Sequence, residues 1–161
     1  MSVPDSEHKE KSEVYQGMKP INVALIGFGN IGTGVVKLFQ QNGMLINQRC
    51  GRDVNLHTIC TRDIKRDRGV KFNTYNLTTD FNDVFTNDEI DIVLELVGGT
   101  TVAYQIIAGA LKAGKHVVTA NKAVVAEYGG ELFELARHNN VSLLFEAAVG
   151  AGIPFIRAMQ G

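Results

Sequence analysis

From Ile21 onward, short β-branched apolar runs alternate with longer stretches whose apolar residues recur at helical spacing. Ile21–Ile26 (INVALI) is almost wholly apolar, the pattern of a strand covered on both faces in a parallel sheet. Ile31, Val35, Val36, Leu38 and Phe39 follow at helical intervals and predict a first helix to about Ile46. Val54–Thr61 reads as a second strand, Lys71–Tyr75 as a short edge strand and Phe81–Phe85 as a short helix. Asp91–Val97 is another buried strand, backed by a helix over Val102–Ala113 that Gly114 stops. Lys115–Thr119 and Ser142–Glu146 read as the last strands. Two helical pieces, Lys122–Ala126 and Gly130–Asn139, lie between them around Gly129-Gly130, and Ile153–Met159 opens a further helix. The alternation predicts an α/β fold of the Rossmann type: a doubly wound, mainly parallel sheet with helices on both faces.

Residues 1–18 stand outside this pattern, being charged and poor in aliphatics, and read as a disordered tail. Met18-Lys19-Pro20 looks like a second beginning just ahead of the first strand.

Composition narrows the function. The 161 residues suit one domain, and 45% hydrophobic content is enough to close a core. Sixteen basic against seventeen acidic side chains leave a net charge of −1, which speaks against a nucleic-acid or anionic-membrane partner. No apolar run approaches the roughly 20 residues of a membrane span, and the N-terminus is too polar for a signal peptide. Cys50 and Cys60 are too few for a disulfide framework, and nothing has zinc-ligand spacing. A cytoplasmic domain is the expectation, and its seventeen glycines are its loudest feature.

Gly27, Phe28, Gly29, Asn30, Ile31 and Gly32 form G-x-G-x-x-G directly after a buried strand and at the opening of a helix. That context, more than the string, points to a dinucleotide. Gly27 permits the sharp turn, Gly29 lets a pyrophosphate approach the backbone, and Gly32 lets helix and strand pack closely. The helix N-terminus offers free N–H groups and partial positive charge to the phosphates.

The second strand ends at Thr61-Arg62-Asp63, where the adenosine ribose of a dinucleotide lies. Arg62 can stack on adenine or pair with a 2′-phosphate, and Lys65, Arg66 and Arg68 add positive charge nearby. Asp53, about twenty residues past the fingerprint, precedes the strand and so lies at its wrong end. NADP is favoured over NAD, with dual use open; a solvated charged loop is the plain alternative.

The other strand ends combine small residues with few polar groups: Gly98-Gly99-Thr100, Ala120-Asn121-Lys122, and Glu146 followed by Ala147–Gly152. Gly98 and Gly99 leave space for a nicotinamide ribose, with Thr100 as donor. Lys122 brings a cation to the same place, unless it is an ordinary solvated lysine at a helix start. Glu146 with the free carbonyls beyond it is oxygen-only chemistry suited to Na⁺ or K⁺; a carboxylate paired to a neighbouring base or N–H is the alternative. His57 and His116 lie within strands and His138 at a helix end, and none reads as a catalyst.

Beyond these features, MKPINVALIG at Met18–Gly27, CTRD at Cys60–Asp63, ELVGG at Glu95–Gly99, GKHVVTANKA at Gly114–Ala123 and FEAAVGAGIP at Phe145–Pro154 resemble homoserine dehydrogenase. The similarity runs from about Met18 to Gly161. It implies NAD(P)-dependent interconversion of L-homoserine and L-aspartate 4-semialdehyde, on the route to threonine, methionine and isoleucine. It implies that Gly27–Gly32 and Arg62 hold the cofactor and that Gly98, Gly99 and Thr100 line its ribose. Lys122 matches the family's catalytic lysine, which reaches the nicotinamide ribose and the reacting substrate. Glu146, with the carbonyls of Val149, Ala151 and Ile153, matches its monovalent-cation site. Ala148 departs from the family's usual Ser or Thr, and Ala151 from its common Gly.

The resemblance also divides the chain: a tail over 1–18, the NAD(P)-binding domain over 19–150, and over 151–161 the start of a substrate-binding and dimerisation domain that is otherwise missing. A homodimer is implied for the full-length enzyme, and little activity for this chain by itself. An NAD(P)(H)-binding module without catalysis, or an oxidoreductase of the aspartate dehydrogenase type, is the competing reading. TANK in place of a Glu-Lys-Pro motif argues against the latter.

Overall fold

The computed structural model describes residues 18–145. Six strands form one sheet: β1 (Ile21–Ile26), β2 (Val54–Cys60), β3 (Asn76–Thr78), β4 (Ile92–Glu95), β5 (His116–Thr119) and β6 (Leu143–Leu144). Four helices connect them: α1 (Asn30–Cys50), α2 (Asn82–Phe85), α3 (Thr101–Lys112) and α4 (Lys122–His138). Every strand pair is parallel and the order is β3-β2-β1-β4-β5-β6. That order is the dinucleotide-binding form of the doubly wound sheet, in which the chain reverses its direction of travel between β1 and β4.

The alternation of side chains along β1 explains why its sequence is apolar without interruption. Ala24 and Ile26 enter the core shared with α3 and α4, while Val23 and Leu25 enter the core under α1. Both faces are buried, so neither set of alternate positions tolerates polarity. Leu25, Val93 and Val117, at the centre of three adjacent strands, are wholly inaccessible.

Several expected elements differ from what forms. The edge strand lies at Asn76–Thr78, not Lys71–Tyr75. Phe72 and Tyr75 pack under the α1 side of the sheet, and Tyr75 N–H donates to the Phe72 carbonyl at 3.2 Å, so this stretch is a turn. The first helix passes Ile46 and ends at Cys50, where Gly51 adopts φ 68 and donates to the Asn47 carbonyl. Asn42 (φ −124) interrupts its regularity. Lys122–His138 is one helix, since Gly129 is buried with Val125 and Phe133 close by and does not break it. Packing there outweighs the roughly 1 kcal/mol a helical glycine costs. The strand predicted over Asp91–Val97 shortens to Ile92–Glu95 because Leu96 and Val97 already lead into the glycine turn. Of the strand predicted over Ser142–Glu146 the described residues form Leu143–Leu144, with Glu146 outside them. The expected tail up to Gly17 and the helix over Ile153–Met159 lie outside the described residues.

Candidate cofactor site

A cleft of about 420 Å³ opens across the carboxyl ends of β1, β2 and β4. Gly27, Phe28 and Gly29 form one wall, Arg62 and Asp63 another, and Val97 and Gly98 a third. It lies at the sheet's point of reversal, where ligands of such folds bind.

The three fingerprint glycines meet three different demands. Gly27 has φ +104, and a Cβ there would come within 2.7 Å of the Leu96 carbonyl group. Its N–H extends the ladder by donating to Cys60 O at 3.0 Å. Gly32 is buried with its α-carbon against the Gly27 carbonyl, leaving no room for a side chain. Gly29 meets nothing within 4 Å, so its missing Cβ opens space toward the outside.

Gly29 is also the N-cap of α1. No side chain caps this helix and no acidic residue occupies its first turn. The N–H groups of Asn30, Ile31 and Gly32 therefore have no intrahelical partner, and Asn30 and Ile31 are exposed. An uncapped helix start beside an open glycine fits an anionic pyrophosphate. Phe28 is buried, and its ring packs edge-on against Phe72 at 5.2 Å.

The loop after β2 is organised by Arg68. Its Nε donates to Phe28 O at 2.7 Å, Nη1 to Arg66 O at 2.7 Å, and Nη2 to Asp63 O at 2.7 Å and Thr61 Oγ1 at 3.1 Å. All three guanidinium nitrogens are thus committed inward, and Arg68 ties the fingerprint to the adjoining loop. Asp63 turns its Oδ1 onto the amides of Lys65 and Arg66 at 2.9 and 3.1 Å. Arg62 remains exposed along the cleft. Asp53 lies at the opposite end of the sheet, its carbonyl accepting from Ile21 N–H at 2.8 Å.

At the end of β4, Glu95 is wholly buried. Its carboxylate accepts from Val97 N–H at 2.6 Å and from Thr119 Oγ1 at 2.5 Å. Burial raises its pKa despite both hydrogen bonds. Gly98 and Gly99 follow on the surface and Thr100 opens α3 as an uncapped N-cap. Lys122 is the first residue of α4 and is exposed. A cation at a helix N-terminus gains nothing from the dipole, so its position there is not explained by helix stability. The structure thus brings Gly27, Phe28, Gly29, Arg62 and Gly98 to one cleft, with Asn30, Ile31 and Gly32 in the first turn of the adjoining α1 and Gly99, Thr100 and Lys122 just beyond the ends of β4 and β5.

His57 and His116 lie elsewhere: His57 contacts Thr58, and His116 Nδ1 accepts from Ser142 N–H at 3.1 Å. Cys60 lines the cleft, but burial, with Asp80 and Asp83 adding to it, pushes its thiol up to about 11, too high for a nucleophile. Glu146, Val149, Ala151 and Ile153 lie outside the described residues. Among the described residues no cluster of His, Cys, Asp and Glu could hold a metal ion, and no helix is long and apolar enough to cross a membrane.

Residues 27–146 match the family model described as homoserine dehydrogenase, NAD binding domain. A homoserine dehydrogenase of Pseudomonas aeruginosa is 42% identical over 145 residues, which are 89% of this chain and 32% of that protein. The crystal structure of a homoserine dehydrogenase from Thiobacillus denitrificans superposes with TM-score 0.82 at 42% identity, over 89% of this chain and 33% of that one. A hyperthermophilic archaeal homoserine dehydrogenase in complex with NADPH gives TM-score 0.69 at 25% identity, over 87% of this chain and 48% of that one. This chain spans about a third of the length of the first two.

Proposed function

The chain belongs to the homoserine dehydrogenase family through that family's NAD-binding domain, and from this premise we propose that it is the cofactor-holding part of an enzyme interconverting L-homoserine and L-aspartate 4-semialdehyde. The observation that carries the proposal is the cleft running from the open Gly29 and uncapped α1 to the exposed Arg62. When bound, the nicotinamide supplies or accepts a hydride at the carbon that alternates between aldehyde and alcohol, with one proton exchanged at oxygen.

In this reading the amides of Asn30, Ile31 and Gly32 hold the pyrophosphate, and Gly27 and Gly29 let it close on the backbone. Arg62 takes the 2′-phosphate as a planar, permanently charged donor. Asp63 points its Oδ1 at its own loop amides, which leaves the ribose end without the acidic group that favours NAD. Gly98, Gly99 and Thr100 accommodate the nicotinamide ribose, and Lys122 reaches that ribose and the reacting substrate as the catalytic lysine. In the full-length enzyme Glu146 with the carbonyls of Val149, Ala151 and Ile153 forms the monovalent-cation site; one carboxylate and three carbonyls are the hard oxygen donors Na⁺ or K⁺ requires.

Substrate binding, general acid–base work and homodimer formation are assigned to the part of the relatives that this chain does not span. The domain division at about residue 150 and a cytoplasmic location belong to the same proposal. The test is a paired one. Residues 1–161 should bind NADPH yet oxidise no homoserine, and activity should return when the remaining domain of a relative is supplied. Turnover by this chain alone would overturn the division of labour.

A further inference from the structure

The loop after β5 carries a side chain that the proposed cofactor contacts do not use. Asn121 Nδ2 donates to two carbonyls of the turn after β4, Val97 at 3.0 Å and Gly99 at 2.7 Å. Its Oδ1 accepts from Val124 N–H at 3.2 Å and so caps α4. Its own N–H donates to Thr119 Oγ1 at 2.9 Å, and Thr119 in turn donates to the buried Glu95. One amide therefore joins two loops that are not neighbours in sequence, and it is anchored from below by a buried carboxylate.

The turn it holds has little else to hold it. Gly98 and Gly99 are exposed, Gly99 sits at φ +84, and a Cβ at either would meet nothing within 4 Å. Paired glycines sample more backbone conformations than any other residues, so an unclamped turn would lose much of its time to other shapes. Asn121 removes that freedom at the Gly99 carbonyl. Through the cap it also fixes where α4 begins, and hence the backbone position of Lys122, its first residue. Both ends of the proposed nicotinamide pocket thus take their spacing from one side chain.

We propose that Asn121 is a positioning residue for the nicotinamide half of the cofactor, setting the distance between the Gly98–Thr100 turn and Lys122. This rests on the cleft being the dinucleotide site, with its nicotinamide end at Gly98–Thr100. The two functions of the amide can be separated chemically. Asn121→Asp and Asn121→Ser keep an oxygen to cap α4, because Asp, Ser and Asn are comparable N-caps. Asp cannot donate to the two carbonyls, and Ser is too short to span them.

The experiment is calorimetric titration of the 161-residue chain with two probes, NADPH and 2′-phospho-ADP, the second lacking the nicotinamide riboside. Both variants should bind NADPH about tenfold more weakly, roughly 1.4 kcal/mol, while 2′-phospho-ADP affinity stays at the wild-type value. A purely structural role would weaken both probes together, and that result, or no change in either, overturns the proposal. Gly98→Val, which fills the open space in the pocket, reports on the underlying reading. If it leaves NADPH binding intact, the nicotinamide assignment falls and the positioning role with it. If it abolishes NADPH binding while the Asn121 variants keep the wild-type ratio of the two affinities, the positioning role alone falls.

Discussion

The guanidinium of Arg68 lies 4.5 Å from the centre of the Phe28 ring and donates to the carbonyl of that same residue at 2.7 Å. A residue of the fingerprint and a residue of the loop after β2 are thereby locked into one body, with Phe72 completing the stack at 5.8 Å. The loop can then present Arg62 outward because Arg68 faces inward.

Arg68→Lys should therefore be costly although it conserves charge. An ammonium cannot reproduce a planar fork that donates to four oxygens. A loss of about 1–3 kcal/mol in urea unfolding is expected, the scale of a cation–π contact plus hydrogen bonds to a charged group. A loss below about 0.5 kcal/mol would show the brace to be ornamental.

Arg62 behaves oppositely. It is exposed, so Arg62→Ala should leave folding stability unchanged while weakening NADPH by ~1.5–3 kcal/mol, the scale of a hydrogen bond to a charged group. NADH affinity should be nearly unaffected. Equal losses for the two cofactors would place the guanidinium on the adenine instead.

The buried carboxylate of Glu95 makes stability depend on pH. Its pKa is raised in the fold, chiefly by burial, so the folded chain holds this proton more tightly than the unfolded chain. The contribution is complete below the ordinary carboxylate value near 4.3 and is lost as pH rises through the folded-state value. Glu95→Gln should flatten the part of the stability curve that lies above the ordinary carboxylate value. A slope in the variant equal to that of the wild type would assign the titration to another group.

Cys60 and Cys50 should separate cleanly in alkylation. Burial and the pKa of about 11 keep Cys60 as a thiol, whereas Cys50 is exposed at the end of α1. Mass spectrometry after iodoacetamide at pH 8 should find Cys50 modified first and Cys60 only on unfolding. Bound NADPH should not change the order.

These residues also show where sequence reading succeeds. The alternation of buried strands with helices and the glycine turn were legible, because burial on both faces and a positive φ leave a strong mark on residue type. The end of β2 was legible for Arg62, since a strand's carboxyl end follows from its span. Arg68 was visible only as nearby positive charge. Nothing in its spacing distinguishes an arginine turned inward onto Phe28 from one in solvent, since that depends on a loop folding back on the fingerprint. Glu95 had a usable signal, a carboxylate in an apolar strand that must find partners. Asn121 also had one, as an N-cap residue directly before a helix. The single helix over Lys122–His138 reads as two pieces around Gly129-Gly130 because local propensity carries no sign of the packing that overrides it.

Whether the cleft at the carboxyl ends of β1, β2 and β4 takes a dinucleotide across the fingerprint can be decided with two glycine variants. Gly27→Ala and Gly29→Ala differ by a single methyl group at neighbouring positions. The first places a Cβ within 2.7 Å of the Leu96 carbonyl at φ +104 and should destabilise the fold by several kcal/mol; the second meets nothing within 4 Å. Gly29→Ala should therefore keep the wild-type thermal midpoint and lose at least about tenfold in NADPH affinity, roughly 1.4 kcal/mol. NADPH titrated into Gly29→Ala is the deciding measurement. Binding as tight as wild type, in a protein equally stable, would mean that no pyrophosphate approaches this turn.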